Sequence, residues 1–230
     1  MEFENYGTIK LQEMEIPNFT IGVAIIENVT VAKSDKNFEN EFNAIVEKIK
    51  NQESIEKIKD NPIIRAYRDF YWKHIGIDPT KIRPSSEALI RRILRGKRIP
   101  RINSAVDAYN LASIETYMSF GAYDAEKIHG RLVLRKAHES EKFLGIGMDE
   151  PIKLRGNELV LADDIGPINV YPYRDSDRTK VNDDTRKILL VCASVPEISK
   201  EKVESSLNRA VELITKYCNG NASYQAVYLV

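Results

Sequence analysis

The chain has few of the residue types that would by themselves assign a chemistry. Its 230 residues include only 2 cysteines and 3 histidines. So few cysteines cannot build a disulfide framework, and Cys192 and Cys218 lack the spacing of a metal site. Cys192 lies in an apolar run, where a core position is expected rather than a nucleophile. The sequence therefore predicts no disulfide framework, no metal and no cofactor.

An excess of one charge and a long hydrophobic run are also missing. Lysine plus arginine and aspartate plus glutamate number 34 each, so the overall charge does not indicate a partner. No apolar run approaches the length of a membrane span, and residues 1–10 lack the apolar region of a signal peptide. A hydrophobic content of 43% and a charged content of 30% are typical of a globular domain. We expect a protein of the reducing cytoplasm that does not bind membranes.

Apolar periodicity predicts helices mainly in the first half of the chain and strands in the second. The predicted helices are 37–50, Asn61 to about Ile75, Ser85 or Ser86 to Gly96, Asn103 or Ser104 to Gly121, and Ser199 to Gly220. The predicted strands are 20–27, 131–137, 158–162, 165–173, 187–193 and 222–230. The prolines of the strand 165–173 favour the edge of a sheet. These elements predict a single α+β domain over residues 1–230.

The second predicted helix is unusually aromatic and also carries basic residues. Such a mixture can form a surface on which nucleic-acid bases stack. The alternative is core packing, because Ile64, Tyr67 and Tyr71 recur at helical spacing. The spacing favours the core interpretation.

A basic segment follows between residues 83 and 101, in which Glu87 is the only acid. We define the basic strip as Arg83, Arg91, Arg92, Arg95, Lys97 and Arg98. The apolar residues of the third helix occupy its other face, so the arginines on that helix project away from them. The basic strip could contact nucleic-acid phosphates. It could equally form a solvated face paired with acids elsewhere, and the residue types leave both interpretations open.

The helix that begins at Asn103 or Ser104 is polar along part of its surface. Asp107, Asn110 and Ser113 recur three residues apart and therefore share a face. A face of this kind either carries a buried hydrogen-bond network or lines a site. The sequence does not decide between these two interpretations.

The connection 174–185 combines arginines, acids and hydroxyl groups. A plain surface turn needs only aspartate, serine and asparagine. Two arginines, Arg174 and Arg178, spaced by acids and hydroxyls could instead orient an anionic or amine-bearing ligand. The histidines have no nucleophile beside them in the sequence, which disfavours covalent catalysis.

Several ordered blocks resemble one known domain. These blocks are RPSSEALIRRILRG, INSAVDAYNLASIET, GAYD, ELVLAD and RDSDRTKVNDDTRKILLV, and they resemble the B3/B4 domain of the bacterial phenylalanyl-tRNA synthetase β subunit over about residues 60–195. The resemblance implies a three-layer α+β fold with a β-sandwich of unusual topology flanked by helices. It also implies tRNA editing, in which tyrosine wrongly esterified to the phenylalanine tRNA is hydrolysed without a metal by water that side chains and substrate position.

The resemblance assigns site residues block by block. VDAYNLASIE matches the pattern VD-x-x-N-x-x-x-x-E, which implies that Asp107, Asn110 and Glu115 belong to a site or support it. The synthetase has HAFD where this chain has GAYD, so Gly121 stands in place of a pocket histidine. Val191 stands in place of a pocket glutamate, and residues 175–176 replace a Gly-Gly turn. These differences imply either a different cargo or a domain without catalysis.

Two functions follow as expectations. The first is a hydrolase that acts in trans on a mischarged aminoacyl-tRNA and binds its aminoacylated 3′ end. The second is a module that binds tRNA or an amino acid without turnover. For the first, the catalytic candidates are Asn110, Asp175 and Thr179, and the substrate-binding candidates are Asp107, Glu115, Arg174, Ser176 and Arg178. The basic strip is the candidate nucleic-acid-binding surface.

Overall fold

The structure is a computed structural model that describes residues 10–11 and 19–230. The expectation about a signal peptide falls on residues 1–10 and lies, apart from Lys10, outside the described residues. No helix within the described ranges is long and apolar enough to cross a membrane.

Five α-helices lie in the described part of the chain. They are α1 Lys36–Gln52, α2 Pro62–Lys73, α3 Ser85–Leu94, α4 Ser104–Thr116 and α5 Lys200–Cys218. The side chains of Asp35, Asn61, Asn103 and Ser199 accept amide hydrogen bonds at the first turns of α1, α2, α4 and α5. The predicted helix starts at Asn61, Asn103 and Ser199 are therefore confirmed.

Two other predicted helix boundaries are wrong. α3 begins after Pro84, and no side chain caps its first turn, so neither of the next two serines is the cap. The proline ring already presets the backbone for entry into the helix. α4 ends at Thr116, and Tyr117 adopts a left-handed φ of 65°. Gly121 does not end this helix but lies inside the following strand, hydrogen-bonded to its neighbour.

Eleven strands form three sheets within the described residues. The strands are β1 Lys10–Leu11, β2 Thr20–Glu27, β3 Phe120–Asp124, β4 Val133–Lys136, β5 Lys142–Phe143, β6 Ile152–Lys153, β7 Leu159–Ala162, β8 Pro167–Val170, β9 Arg174–Asp175, β10 Lys187–Cys192 and β11 Asn221–Leu229. The four-stranded sheet has the order β11-β2-β10-β3, the five-stranded sheet has the order β1-β4-β7-β8-β9, and β5 pairs with β6. The predicted α+β class is confirmed.

One expectation about the strands is wrong. β8, which begins at Pro167, lies between β7 and β9 rather than at an edge. The register between β7 and β8 shifts beside Ala162, the partner of Pro167, and such an irregularity accommodates a residue that cannot donate a ladder hydrogen bond. The predicted division of the chain is confirmed, because α1 to α4 lie before residue 120 and β3 to β10 lie after residue 119. The early strand β2 pairs with both β10 and β11, and α5 packs on β2.

The main hydrophobic core lies between the four-stranded sheet and the helices. β2 and β10 are the central strands of that sheet and are buried along nearly their whole length. α4 and α5 pack against each other. Tyr67, Phe70 and Tyr71 of α2 are buried, whereas Trp72 is 65% exposed. The core interpretation of the aromatic helix is confirmed.

Candidate functional site

A narrow cavity lies where the two larger sheets meet. β3 and β10 line it from the four-stranded sheet, β8 and β9 line it from the five-stranded sheet, and Ser85 at the start of α3 also contributes. Its volume is about 40 Å³. One buried water needs roughly 10–15 Å³ of such space. The cavity therefore has room for about three to four water-sized groups.

Three polar groups meet at this cavity. The Tyr123 hydroxyl donates to Asp175 Oδ1 at 2.8 Å, and Asn169 Nδ2 donates to the same oxygen at 2.8 Å. Asn169 faces Asp175 directly across β8 and β9, so strand register positions this pair. Burial raises the pKa of Asp175 above its ordinary range, although the hydrogen bonds from Asn169 and Tyr123 oppose the shift. Asp175 thus offers a carboxyl group that can gain or lose a proton closer to neutral pH.

Gly121 and Val191 line the same cavity. They are direct partners between β3 and β10. A Cβ atom on Gly121 would lie 2.4 Å from the Tyr123 hydroxyl oxygen and 3.1 Å from Asp175 Oδ1. The first distance is far below van der Waals contact, so the position of Tyr123 requires a glycine at residue 121.

The structure brings only some of the predicted site residues to this cavity. Arg174 and Asp175 line it, whereas Asn110, Ser176 and Thr179 lie outside the described residues that form its wall. Ser176 is buried, and its hydroxyl oxygen accepts the Arg178 amide at 3.2 Å. Thr179 is also buried, and its carbonyl accepts the amide of Asp124, the residue after Tyr123, at 2.8 Å. The Thr179 hydroxyl has no hydrogen-bond partner among the described residues.

The polar face of α4 contributes mainly to the structure. Asp107 is 2% exposed, and its carboxylate accepts the Ser34 hydroxyl at 2.6 Å and the Ile102 amide at 3.1 Å. Burial raises the pKa of Asp107 despite these hydrogen bonds. Asn110 is half-buried. Its neighbour Tyr109 lies near the cavity, because the Asp175 carboxylate affects its hydroxyl: burial, and after it this carboxylate, raises the pKa of Tyr109. The buried-network interpretation therefore describes Asp107.

Glu115 belongs to a group of charges that joins three helices. Its carboxylate lies 2.7 Å from Arg209 Nε of α5, and Arg209 Nη2 lies 2.5 Å from the carboxylate of Glu41 in α1. Burial acts to raise the pKa of Glu41, but hydrogen bonds from Lys216, Tyr217 and Arg209 outweigh it and lower this pKa to about 2. The contacts of Glu115 thus stabilise the packing of α1, α4 and α5.

Arg178 links its own connecting segment to those that contain Lys127 and Asp163. Its guanidinium contacts both carboxylate oxygens of Asp163, at 2.7 and 3.0 Å, and donates to the Lys127 carbonyl at 3.0 Å. Burial acts to raise the pKa of Asp163, whereas the contact with Arg178 and backbone amides lower it overall. A bidentate pair of this kind restrains both segments, so the described contacts of Arg178 are structural.

The structure divides the basic strip into two parts. Arg91 donates to the fully buried Glu87 carboxylate at 2.7 Å, and Glu87 also accepts from Arg68 at 3.1 Å. Arg92 donates to the Arg98 carbonyl at 3.0 Å and thereby supports the loop after α3. The members without an ion pair among residues 10–11 and 19–230 are Arg83, Arg92, Arg95, Lys97 and Arg98.

An open groove of about 490 Å³ lies beside the basic strip. Phe42 and Val46 of α1 and Ile93 of α3 provide apolar lining, and Lys97 and Arg98 lie at the same groove. Apolar surface next to unpaired cations suits a ligand that has both flat rings and phosphates.

Sequence reasoning missed Tyr123 and Asn169 as cavity residues. Tyr123 follows Gly121 by two positions, so both would share a face if GAYD were recognised as a strand. Asn169 is a polar residue inside the apolar run 165–173 and is 6% exposed. A buried amide needs hydrogen-bond partners, which was the available signal for a polar site at this strand.

Comparison with known proteins decides the family. The family model of the B3/4 domain matches residues 66–219. The chain belongs to the B3/4 domain family. The matched residues include α3, α4 and α5, most of α2, and every strand that lines the cavity.

The similar curated proteins are β subunits of aminoacyl-tRNA ligases. This B3/4 domain protein is 30% identical over 154 residues to the phenylalanine–tRNA ligase beta subunit of Cutibacterium acnes, covering 64% of this chain and 18% of the relative. It is 34% identical over 119 residues to the same subunit of Nocardia farcinica, covering 52% of this chain and 14% of the relative. The chain therefore spans less than a fifth of the length of these relatives.

A solved structure is also similar. An N-terminal fragment of the phenylalanyl-tRNA synthetase beta subunit from Pyrococcus horikoshii aligns with a TM-score of 0.47 and 16% identity. The alignment covers 91% of this chain and 50% of the fragment.

Proposed function

We propose that this B3/4 domain protein hydrolyses the ester of a mischarged aminoacyl-tRNA in trans. The observation that carries the proposal is the cavity containing Asp175, because burial holds a proton-accepting group in a narrow space beside a tyrosine hydroxyl. The residues that line this cavity lie within residues 66–219, the part of the chain that the B3/4 family model matches, and this supports the proposal. The names of the relatives associate such domains with an amino acid and a tRNA.

Asp175 would act as the general base. Its carboxylate would take a proton from a water molecule as the water oxygen attacks the ester carbonyl carbon. The bond between that carbon and the ribose oxygen then breaks, and the proton passes from Asp175 to the leaving ribose hydroxyl. Tyr123 and Asn169 hold Asp175 Oδ1, so the carboxylate keeps one orientation throughout.

Two features of the cavity wall would stabilise the negative oxygen that forms during attack. Ser85 is the first residue of α3, whose first turn has no side-chain cap. Free amides at a helix start favour negative charge. Arg174 adds a cation at the same cavity. Thr179 would act as a positioning residue, since its carbonyl accepts the amide of Asp124 at the end of β3. Asn110 on α4 stays a candidate substrate contact.

The tRNA would lie along the exposed members of the basic strip. Arg95, Lys97 and Arg98 are exposed, and Lys97 and Arg98 line the groove beside α1. Lysine and arginine at such a surface contact phosphates and release counterions, which makes binding sensitive to salt. Arg91 is not proposed as a phosphate contact, because it is committed to Glu87.

Single-turnover deacylation of a panel of mischarged tRNAs tests the proposal. Asp175→Asn should slow hydrolysis roughly a hundredfold or more, the usual contribution of a general base. Asp177→Asn is the matched control, because Asp177 is two residues away and pairs with Lys180 at 2.7 Å outside the described cavity wall. Equal rates for the Asp175→Asn variant and the wild type on every deacylated substrate would contradict the proposed role of Asp175.

A binding module without turnover is the second candidate. The observation that favours it is the absence of histidine among the described residues of the cavity wall, which leaves Asp175 as the only acid there. In this case the protein would bind charged tRNA with measurable affinity but deacylate no member of the panel. Deacylation of any member, lost in the Asp175→Asn variant, would exclude it.

A further inference from the structure

Resting on the hydrolase function proposed above, we propose that Tyr123 restricts the cavity to esters of amino acids with small side chains, such as glycine, alanine and serine. Tyr123 is thus assigned as the residue that determines specificity. Three features of the cavity impose this limit: the phenol beside Gly121, the restraint of the Tyr123 ring, and the remaining volume.

The Tyr123 phenol occupies the space that a side chain at residue 121 would fill. The two residues are two positions apart on β3, so they share one face of the strand. A Cβ on Gly121 would lie 2.4 Å from the Tyr123 oxygen and 2.9 Å from the ring carbon that carries it. The end of the cavity is therefore closed by the phenol rather than by a side chain at residue 121.

Neighbouring groups prevent the ring from moving aside. Tyr123 is 2% exposed, and its hydroxyl donates to Asp175 at 2.8 Å. Asn169 holds the same carboxylate, and it is itself 6% exposed. Rotation of the ring would break the hydrogen bond and leave a buried carboxylate with one donor fewer, which is unfavourable. The restriction is thus built into the folded state.

The remaining volume decides which side chains can enter. A cavity of about 40 Å³ holds about three to four water-sized groups, and the attacking water needs one of these places. Hydrogen, methyl and hydroxymethyl groups fit this space. The ring of phenylalanine or tyrosine has six carbon atoms, which is more than the number of water-sized places in the cavity. Val191, opposite Gly121, adds only methyl groups to the wall and so offers no polar partner to a larger polar side chain.

Relative deacylation rates test this inference. The wild type should deacylate tRNAs charged with glycine, alanine or serine at least about tenfold faster than tRNAs charged with phenylalanine or tyrosine, since steric exclusion of this kind commonly gives tenfold or more. Tyr123→Ala removes the ring and should raise the ratio of phenylalanyl to alanyl rates at least about tenfold. Tyr123→Phe keeps the ring and should raise this ratio much less. The ratio corrects for any general loss of activity.

Tyr217→Ala is the matched control, because Tyr217 lies on α5 and hydrogen-bonds to Glu41 away from the cavity. The ratio of phenylalanyl to alanyl deacylation rates for this variant should equal that of the wild type. If the Tyr123→Ala variant does not fold, the Tyr123→Leu variant is measured in its place. The ratio of phenylalanyl to alanyl rates for the wild type tests the size restriction without any variant. Equal wild-type rates for alanyl and phenylalanyl esters would overturn the size restriction while leaving the hydrolase function intact.

Calorimetric binding separates failure of this inference from failure of the proposed function. The probes are adenosines that carry alanine or phenylalanine through a stable 3′-amide. Tighter binding of the alanyl probe without deacylation of any tRNA would support the size restriction and overturn the hydrolase. Binding of neither probe, again without deacylation, would overturn both.

Discussion

Gly121 and Val191 lie directly opposite each other on β3 and β10, and both line the cavity that contains Asp175. The resemblance to the synthetase domain implied a histidine and a glutamate at these two positions. The two differences therefore lie at one point in space rather than at two separate places. The Tyr123 hydroxyl and the Asp175 carboxyl occupy that point here, 2.8 Å apart. A change of both residues together is what a change of substrate at a retained site would require.

The pH dependence of deacylation should report Asp175. Burial raises its pKa, and a general base must be ionised, so the rate should rise with pH through this raised pKa and then level off. An unperturbed aspartate, with a pKa of about 3.9, would give a flat profile above about pH 5. Single-turnover rates across the pH range measure the profile. A profile with no rise in rate above the ordinary aspartate pKa would contradict the role of Asp175 as the base.

The same raised pKa predicts an effect on stability with a definite sign. The folded state binds this proton more tightly than the unfolded state, so stability falls as pH rises from the unfolded pKa through the folded pKa. Asp175→Asn should remove this loss and show an equal or higher Tm at neutral pH. Asp177→Asn, which changes a surface ion pair, should leave Tm nearly unchanged. A large drop in Tm for Asp175→Asn would mean that the carboxylate stabilises the fold.

Asp107 should prove structural. Asp107→Ala leaves the Ser34 hydroxyl and the Ile102 amide without their shared acceptor, which should lower the free energy of unfolding by about 1–3 kcal/mol. Urea unfolding measures the loss, and Asp149→Ala, at an exposed position, is the control. Lost deacylation with unchanged stability would instead make Asp107 a site residue.

The exposed part of the basic strip should control tRNA binding. A combined Arg95→Ala, Lys97→Ala and Arg98→Ala variant should weaken binding and reduce the magnitude of the salt slope by about one unit for each lost phosphate contact. Arg91→Ala should lower stability instead, because it removes a partner of buried Glu87. Binding titrations at several salt concentrations measure the slope. An unchanged slope would show that these cations form only a solvated face.

Glu41 and Arg209 should make the stability of the helix cluster depend on acid. Hydrogen bonds from Lys216, Tyr217 and Arg209 outweigh burial and lower the pKa of Glu41 to about 2. The stabilisation from Glu41 is therefore fully present above the unfolded pKa and is lost as pH falls toward about 2. Glu41→Gln should reduce the drop in Tm on acidification. Glu47→Gln, at an exposed pair with Lys50, should leave that drop unchanged. Identical acid profiles for the wild type and Glu41→Gln would contradict this role.

Local patterns in the sequence were sufficient for several elements. The spacing of apolar residues predicted α1, α2, α5, β2 and β10, and the residues Asn61, Asn103 and Ser199 predicted where three helices begin. These features depend on hydrogen bonds and burial within one element, so nearby residues determine them. The family could also be inferred from the sequence, because its blocks follow one another in a fixed order.

The cavity depends on tertiary structure. Tyr123, Asn169 and Asp175 come from β3, β8 and β9, and only the meeting of two sheets brings the hydroxyl and the amide onto one carboxylate oxygen. Among the predicted residues, the tertiary structure places Asp107, Glu115 and Arg178 in structural contacts. It places Arg174 and Asp175 at the cavity. The residue types alone showed that these side chains are polar, but they did not show which groups each side chain contacts. Strand register and sheet packing determined the partners, because these long-range contacts depend on the whole chain.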